Sequence, residues 1–447
     1  MTGLPHPVAA GTVGSPYGTD PLLTGRAVAT ITNLRLLDGT LATLTVDGDR
    51  IASVGPAQAA STAVGSEPSA PAAVIDATGW RYLPAATEPH AHLDKALTAH
   101  RGTPAADNSL VAAINQWQQI MPTVDAADLR RRALDAITRY VANGITTIRT
   151  HVDALVDGDP LRGVAALLDI REQVRSTIEL QVCLLASEAT PTAAILEAIE
   201  AGIDVIGGCP HLTTDPTAET RRLLDLAEQS GLPVDLHTDE QTDPRQVDLI
   251  ELAEQVLARG MGQRVAASHC VRLAMLEPSR LAEVLALVER AGIGIITLPI
   301  TNLYLQGREA RSPIPRAIPP LRAVLDAGVR LAAGGDNFLD PFLPVGRADP
   351  FETTSLLVTA GQLSTEEALA AVTSSARELL GLRRAAAEPG CAADLLLVPD
   401  RPIDEILAGG QPARVVIHGG RVVADTRVRS AVDPALVPTG STATPGG

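Results

Sequence analysis

The chain has little of what would mark several common function classes. Its four cysteines, Cys183, Cys209, Cys270 and Cys391, lie far apart with no Cys-x-x-Cys pair. Neither a disulfide framework nor a thiolate zinc site is suggested, and a reducing cytoplasm is the expected setting. Positive charge is in deficit: a net charge of −16 would repel a nucleic acid or an anionic membrane, so neither is expected as a partner. No uncharged stretch approaches the roughly 18 residues of a membrane span. The start, MTGLPHPVAAGTVGSPYGTDPL, has neither the basic head nor the apolar core of a signal peptide. No internal repeat is visible. Lysine occurs once, as Lys95.

What is present is an ordinary globular composition, 45% hydrophobic and 20% charged over 447 residues, which suggests one large domain with a smaller companion. The chain has two textures. Short alternating runs broken by Asp-Gly and Gly-Asp turns, such as ATITNLRLL and ATLTVDGDRIASVG, read as β-strands. From Pro84 apolar strands alternate with long amphipathic helices such as DAADLRRRALDAITRYVANG, and the β texture returns late in ADLLLVPD and ARVVIHGGRVVADT. The expected organisation is a satellite β-sandwich from residues 25–83 and 384–430 around a central α/β domain at 84–383. A flexible lead-in at 1–24 and a flexible tail at 431–447 are expected from their Pro and Gly content.

Eight strand candidates fall inside the central region: YLPAATEPHAH, ITTIRTHV, IELQVCLLA, IDVIGG, LPVDLHTD, RVAASH, IGIITLP and VRLAAGGD. This is the pattern of a (β/α)₈ TIM-type barrel, whose catalytic groups sit at the C-terminal strand ends. Of nine histidines, His90, His92, His151, His211, His237 and His269 all fall at or just beyond those ends, and Asp336 closes the eighth strand. His6, His100 and His418 lie elsewhere.

Alternate residues of a strand face one way, so His90 and His92 in EPHAHLDKA can hold one metal together. His237 and Asp336 would complete a nitrogen-rich, carboxylate-closed site suited to one Zn²⁺ or Fe²⁺ per chain, with a position left for water. Glu240, three residues after His237 in HTDE, has a proton shuttle's place. Asp239 competes for that role, although capping the following helix suits it better. His269 in ASHC either ligates or hydrogen-bonds the attacking water, and with four ligands assigned the hydrogen bond is favoured. His151 either lines the pocket or hydrogen-bonds a ligand from behind, and His211 either touches substrate or is structural. Trp117, at helix spacing, reads as core, and Cys270 as a buried small apolar residue.

These residues resemble the amidohydrolase superfamily, and within it the cytosine deaminase branch. The likeness is carried by EPHAHLDK, THVD, HTDE and ASHC, and by the loops LPITNLYLQGR and GGDNFLDPFLPVGRADP, over roughly residues 25–425. It implies a hydrolase of C–N bonds other than peptide bonds, acting on cyclic amidines. His90, His92, His237 and Asp336 would ligate the metal, Glu240 and Asp336 would carry protons, and His269 would hold the water. Ser187, His211, Asn337, Gln306, Phe342 and His151 would line the substrate, a small heterocycle, and a homo-oligomer is expected. Relatives with two metals bridge them through a strand-four lysine, whereas IDVIGGCPHL has none, which favours one metal. Lys95 is then a substrate-facing cation or an ion-pair or surface lysine.

Two departures from that pattern bear on substrate. Cytosine deaminases carry glutamine where Ser187 aligns, and a serine cannot offer the same paired donor and acceptor. Asn337 stands where they carry a second aspartate, and resembles aminohydrolases of N-substituted triazines. A cytosine-like pyrimidine, a triazine or a cyclic amidine all fit. The alternatives are a ring-opening cyclic amide hydrolase and an inactive barrel serving as an interaction module.

Overall fold

A computed structural model describes residues 24–57, 72–102, 109–155, 158–410 and 412–428. The expected flexible lead-in up to residue 23, the tail from 431 and His6 lie outside the described residues. The chain divides into two compact units, Met1–Ala85 with Ala385–Gly447, and Ala86–Arg384. The junctions therefore fall at 85/86 and 384/385, against 83/84 and 383/384 expected from the change of texture.

The first unit opens with strands β1 (Val28–Arg35), β2 (Leu41–Asp47), β3 (Arg50–Pro56), β4 (Ala73–Asp76) and β5 (Trp80–Pro84). Along β2 the pattern is strict: Ala42 and Leu44 are buried while Thr43 and Thr45 face out, and Thr45 meets Ser53 of β3 at 2.7 Å. Asp47 pairs with Arg50 across the Gly48-Asp49 turn, where Gly48 takes φ +56°.

The second unit is an eight-stranded parallel sheet of β6 (Ala86–Ala91), β7 (Ile145–Asp153), β8 (Glu179–Ala186), β9 (Val205–Gly208), β10 (Val234–Thr238), β11 (Val265–His269), β12 (Gly294–Thr297) and β13 (Arg330–Ala333), paired in sequence order. An isolated parallel bridge from Ala91 to Asp336 joins the two ends, closing a (β/α)₈ barrel. Strands enclosed on both faces should read as continuous apolar or small residues, and β9 to β12 are buried throughout. At Gly208 a Cβ would stand 2.5 Å from the Leu223 side chain, so this short strand needs glycine for the helix to pack on it.

The intervening helices carry the expected signals. The helix Ala126–Ala142 starts at Asp125, whose carboxylate accepts from the Asp128 N–H, and buries Leu129, Ala133, Ala136, Ile137 and Tyr140 along one stripe. The helix Pro216–Ser230 begins with Asp215 and proline and stops at Gly231 in the left-handed region. This stop lets the helix turn directly into β10. No helix among the described residues is long and apolar enough to cross a membrane.

The chain then returns to the first unit with β14 (Leu395–Pro399), β15 (Arg414–His418) and β16 (Arg421–Thr426). The strands of this unit form one hydrogen-bonded path, β16-β15-β14-β5-β1-β2-β3, with β4 beside β1. The physical reason is that β5 pairs with both β14 and β1, so early and late strands become hydrogen-bonded neighbours around a single core that includes Ile31, Leu44, Trp80, Leu395 and Ile417.

Candidate metal centre

The barrel brings four of the singled-out residues to one point. His90 lies within β6, His92 just past it, His237 in β10, and Asp336 follows β13 with φ +65°. His90 Nε2 and His237 Nε2 are 3.1 Å apart, and His237 Nε2 and His92 Nε2 3.4 Å. Asp336 Oδ1 stands 3.3 Å from His92 Nε2 and 3.8 Å from His90 Nε2. Ligands about 2.0–2.1 Å from a tetrahedral ion are separated by about 3.3–3.4 Å, so these gaps have the size such an ion would leave.

The chemistry of the donors fits as well. Burial holds the imidazoles of His90, His92 and His237 well below their usual pKa, so they are neutral, as ligands must be. Asp336 is buried and its Oδ1 accepts no hydrogen bond among the described residues. Burial, with Glu240, Asp340 and Glu88 nearby, pushes its pKa well up. A carboxylate oxygen left unpaired beside three neutral imidazoles is a site for a cation. The residues present fit one divalent transition metal.

His151 also brings a ring nitrogen within 4.8 Å of nitrogens of His90 and His237. Its ring stacks on His90 at 3.9 Å, and Nε2 faces Asp235 Oδ2 at 3.5 Å. It therefore belongs to the support beneath the four residues. That support is extensive: His90 Nδ1 is 2.9 Å from Ser268 Oγ, which donates to Asp235 Oδ1 at 2.7 Å, and Arg149 Nη1 donates to Asp235 Oδ2 at 3.1 Å. Burial opposes ionisation of Asp235, yet His151, Arg149 and His90 hold its carboxyl well below the usual range. This chain fixes which His90 nitrogen points inward. Glu88 ties the barrel seam, accepting from His90 N–H at 3.3 Å and Gly335 N–H at 2.9 Å.

Above the four residues opens a cavity of about 500 Å³, within the range of small-molecule sites. Its lining includes His92, His237, Asp336, Glu240, His269, Ser187, Asn337 and Phe342, whereas His90, His151, His211 and Gln306 lie outside it. Burial raises the Glu240 carboxyl to about 8, offset in part by the Gln306 side chain, although Gln306 Nε2 meets no partner in hydrogen-bond geometry. His269 Nδ1 is 3.0 Å from Asn302 Nδ2 and 3.8 Å from Glu240 Oε1, and its Nε2 is unpaired. His211 backs the site, with Nδ1 2.9 Å from the His237 carbonyl and Nε2 3.9 Å from Glu240 Oε2. The Ser187 hydroxyl turns to Thr190 at 3.2 Å, and Asn337 Nδ2 donates to Asp340 at 2.9 Å.

Trp117 is buried but lines the cavity, and Lys95 is a buried ion-pair lysine that lines it too. Asp239 sits over the helix Asp248–Arg259, accepting from Asp248 and Leu249 N–H at 2.9 and 3.1 Å. Sequence reasoning missed Asp235, Ser268, Arg149 and Asn302. For two of them a signal existed: Asp235 alternates with His237 in VDLHT, and Ser268 precedes His269.

A closed barrel with a His₃Asp cluster at its C-terminal rim and a cavity above it defines a metal-site hydrolase of the TIM-barrel class. The model described as "Amidohydrolase family" matches residues 109–424, and the chain belongs to that family, whose members hydrolyse C–N bonds. It is 32% identical over 357 residues to a pterin deaminase of Rhizobium rhizogenes, covering 76% of this chain and 80% of that protein. Among solved structures it superposes on a 5-methylcytosine deaminase of Klebsiella pneumoniae liganded with 5-fluorocytosine, with a TM-score of 0.81, 29% identity and coverage of 91% and 100%. It also superposes on an N-isopropylammelide isopropylaminohydrolase of Burkholderia multivorans, with a TM-score of 0.75, 28% identity and coverage of 90% and 99%.

Proposed function

We propose that the protein is a hydrolytic deaminase of an aminated nitrogen heterocycle, releasing ammonia or a small amine from a cyclic amidine. One zinc or iron ion per chain would be held by His90, His92, His237 and Asp336. The observation that carries the reading is the convergence of those four side chains beside the buried Glu240, whose carboxyl burial raises to about 8, at the floor of a heterocycle-sized cavity. The named activities of the three relatives support it, since each removes an amine or alkylamine from such a ring.

When bound, the ion supplies Lewis acidity and a water acidic enough to attack near neutral pH. Glu240, with a pKa of about 8 in the free site, holds a proton at neutral pH and donates it to the ring nitrogen next to the carbon under attack. Asp336 takes the proton the attacking water gives up. The unpaired Nε2 of His269 orients that water. The ring carbon then carries both the hydroxyl and the amine; Asp336 delivers its proton to the amine, which leaves, and the hydroxyl proton returns to Glu240 as the carbonyl forms.

Substrate choice falls to the wall. With the Ser187 hydroxyl turned to Thr190 and Asn337 held by Asp340, neither presents the paired donor and acceptor that would read a pyrimidine amide edge. A bulkier or N-substituted ring suits the site better than cytosine. The test is ammonia release, with product mass, from metal-loaded protein on pterin, cytosine, isocytosine, creatinine, ammelide and an N-alkyl ammelide. Ammonia or alkylamine from one of these supports the reading. A ring-opened product without either would mean a cyclic amide hydrolase, and no turnover at full metal loading on a broad heterocycle panel would leave the inactive barrel.

A further inference from the structure

Three residues of the cavity lining take no part in the chemistry above: Lys95, Trp117 and Asp153. With Asp94 they form one bonded unit. Lys95 Nζ lies 2.9 Å from Asp153 Oδ2 and 3.1 Å from Asp94 Oδ2. Trp117 Nε1 donates to Asp153 Oδ2 at 2.7 Å, and the Asp153 N–H donates to Asp94 Oδ2 at 3.1 Å. Burial opposes the charge on Lys95, but Asp153 and Asp94 outweigh it and hold the ammonium above its usual range. The lysine is therefore a fixed cation, 5.3 Å from the Trp117 ring centroid.

The unit is asymmetric in a way that concerns ligands. Asp153 Oδ2 takes two strong donors, while Oδ1 accepts no hydrogen bond among the described residues. The Asp153 side chain is 21% exposed, against 5% for Asp94 and 4% for Lys95. With Lys95 shared between Asp153 and Asp94, the Oδ1 face of Asp153 brings a carboxylate to a wall that also holds Leu110, Ile114, Met121 and Gln118. A ring presents bare nitrogens and carbonyls, which that charge repels, or N–H and amino groups, which gain a charge-assisted hydrogen bond from it.

We infer that Asp153 is a specificity-determining residue that selects heterocycles with a ring N–H or amino donor on the edge turned toward it, its carboxylate positioned by Lys95 and Trp117. The inference rests on the reading of this cavity as the heterocycle site. It is tested on zinc-loaded protein with pterin, isocytosine and cytosine, each paired with its counterpart methylated at a ring N–H, by calorimetric binding and by ammonia release. Wild type should prefer the N–H member of at least one pair by at least about tenfold, the worth of a hydrogen bond to a charged group.

Asp153→Ala should bring that ratio to within about threefold of unity, with metal content unchanged. Asp153→Asn, which keeps an acceptor for Trp117 but not the charge, should fall between, and carries the test if the alanine variant does not fold. A purely structural role would weaken both members alike and keep the ratio, which overturns the inference, as would the absence of preference in every pair. The outcomes separate from those of the deaminase reading. An Asp153-dependent binding ratio without ammonia from any compound sinks that reading and leaves this inference standing. Ammonia with a ratio indifferent to Asp153 does the reverse.

Discussion

The floor of the cavity and its wall are built from different materials. On the floor, His90, Ser268, Asp235 and Arg149 are buried and joined by hydrogen bonds, with His151 stacked on His90, and among the described residues the groups that face upward, such as Asp336 Oδ1 and His269 Nε2, are left unpaired. The wall is mostly apolar, with Leu110, Ile114, Met121, Leu212 and Phe342 interrupted by the Lys95–Asp153 unit. Unpaired polar atoms on a rigid base are what reaction chemistry needs, because the donors stand in place before substrate arrives. Apolar surface with few polar points is what selects among rings of similar chemistry. The comparison predicts that floor variants lose the reaction, whereas wall variants redirect it.

The largest effect should come from the floor's ligands. His90→Ala or Asp336→Ala should lower bound metal and turnover together, turnover by about 10³-fold or more, read by elemental analysis beside ammonia release. A variant that keeps its metal but loses activity would remove that residue from the ligand set. Glu240→Gln should come next, with a loss of about 10²–10⁴ in kcat while metal content and thermal midpoint stay near wild type, since the amide has the same shape but cannot shuttle a proton.

A pH effect follows from the buried carboxyls. Glu240 and Glu88 are each raised by burial to about 8, from 4.5 in the unfolded chain. A raised acid stabilises the fold fully below its unfolded-state value, and that contribution is lost as pH rises through the folded value. Below about pH 6.5 the buried neutral histidines act with the opposite sign, so the chelator-treated protein should lose thermal stability between pH 6.5 and about 8, and Glu240→Gln should flatten the decline. A midpoint that rises across this window in wild type would contradict the assignment. The smallest effect belongs to the wall: Ser187→Gln should raise the kcat/KM ratio of cytosine to bulkier rings by about tenfold, leaving metal content untouched.

The floor and the wall also differed in how far they could be read from sequence. His90, His92, His237 and Asp336 were legible because strand alternation and barrel closure bring residues at strand ends together whatever the loops do. Glu240 came from its spacing to His237. The wall depends on how side chains of the helix Leu110–Ile120 lean inward, which periodicity does not reveal, so Trp117 read as core although it also faces the cavity. Lys95 was visible as the sole lysine, but its partner Asp153 lies a whole β/α unit away and no local pattern links them. The satellite unit was legible as strands, and its continuous sheet was not, because the β5 to β14 pairing joins segments separated by the entire barrel.

Metal titration of chelated protein, followed by ammonia release on the heterocycle panel, tests the central claim most directly. The account predicts that the rate on the preferred aminated ring rises linearly with added zinc or iron and levels off at about one ion per chain, as a single four-ligand site requires. Ammonia release that is indifferent to metal, or that needs two ions per chain, would contradict it.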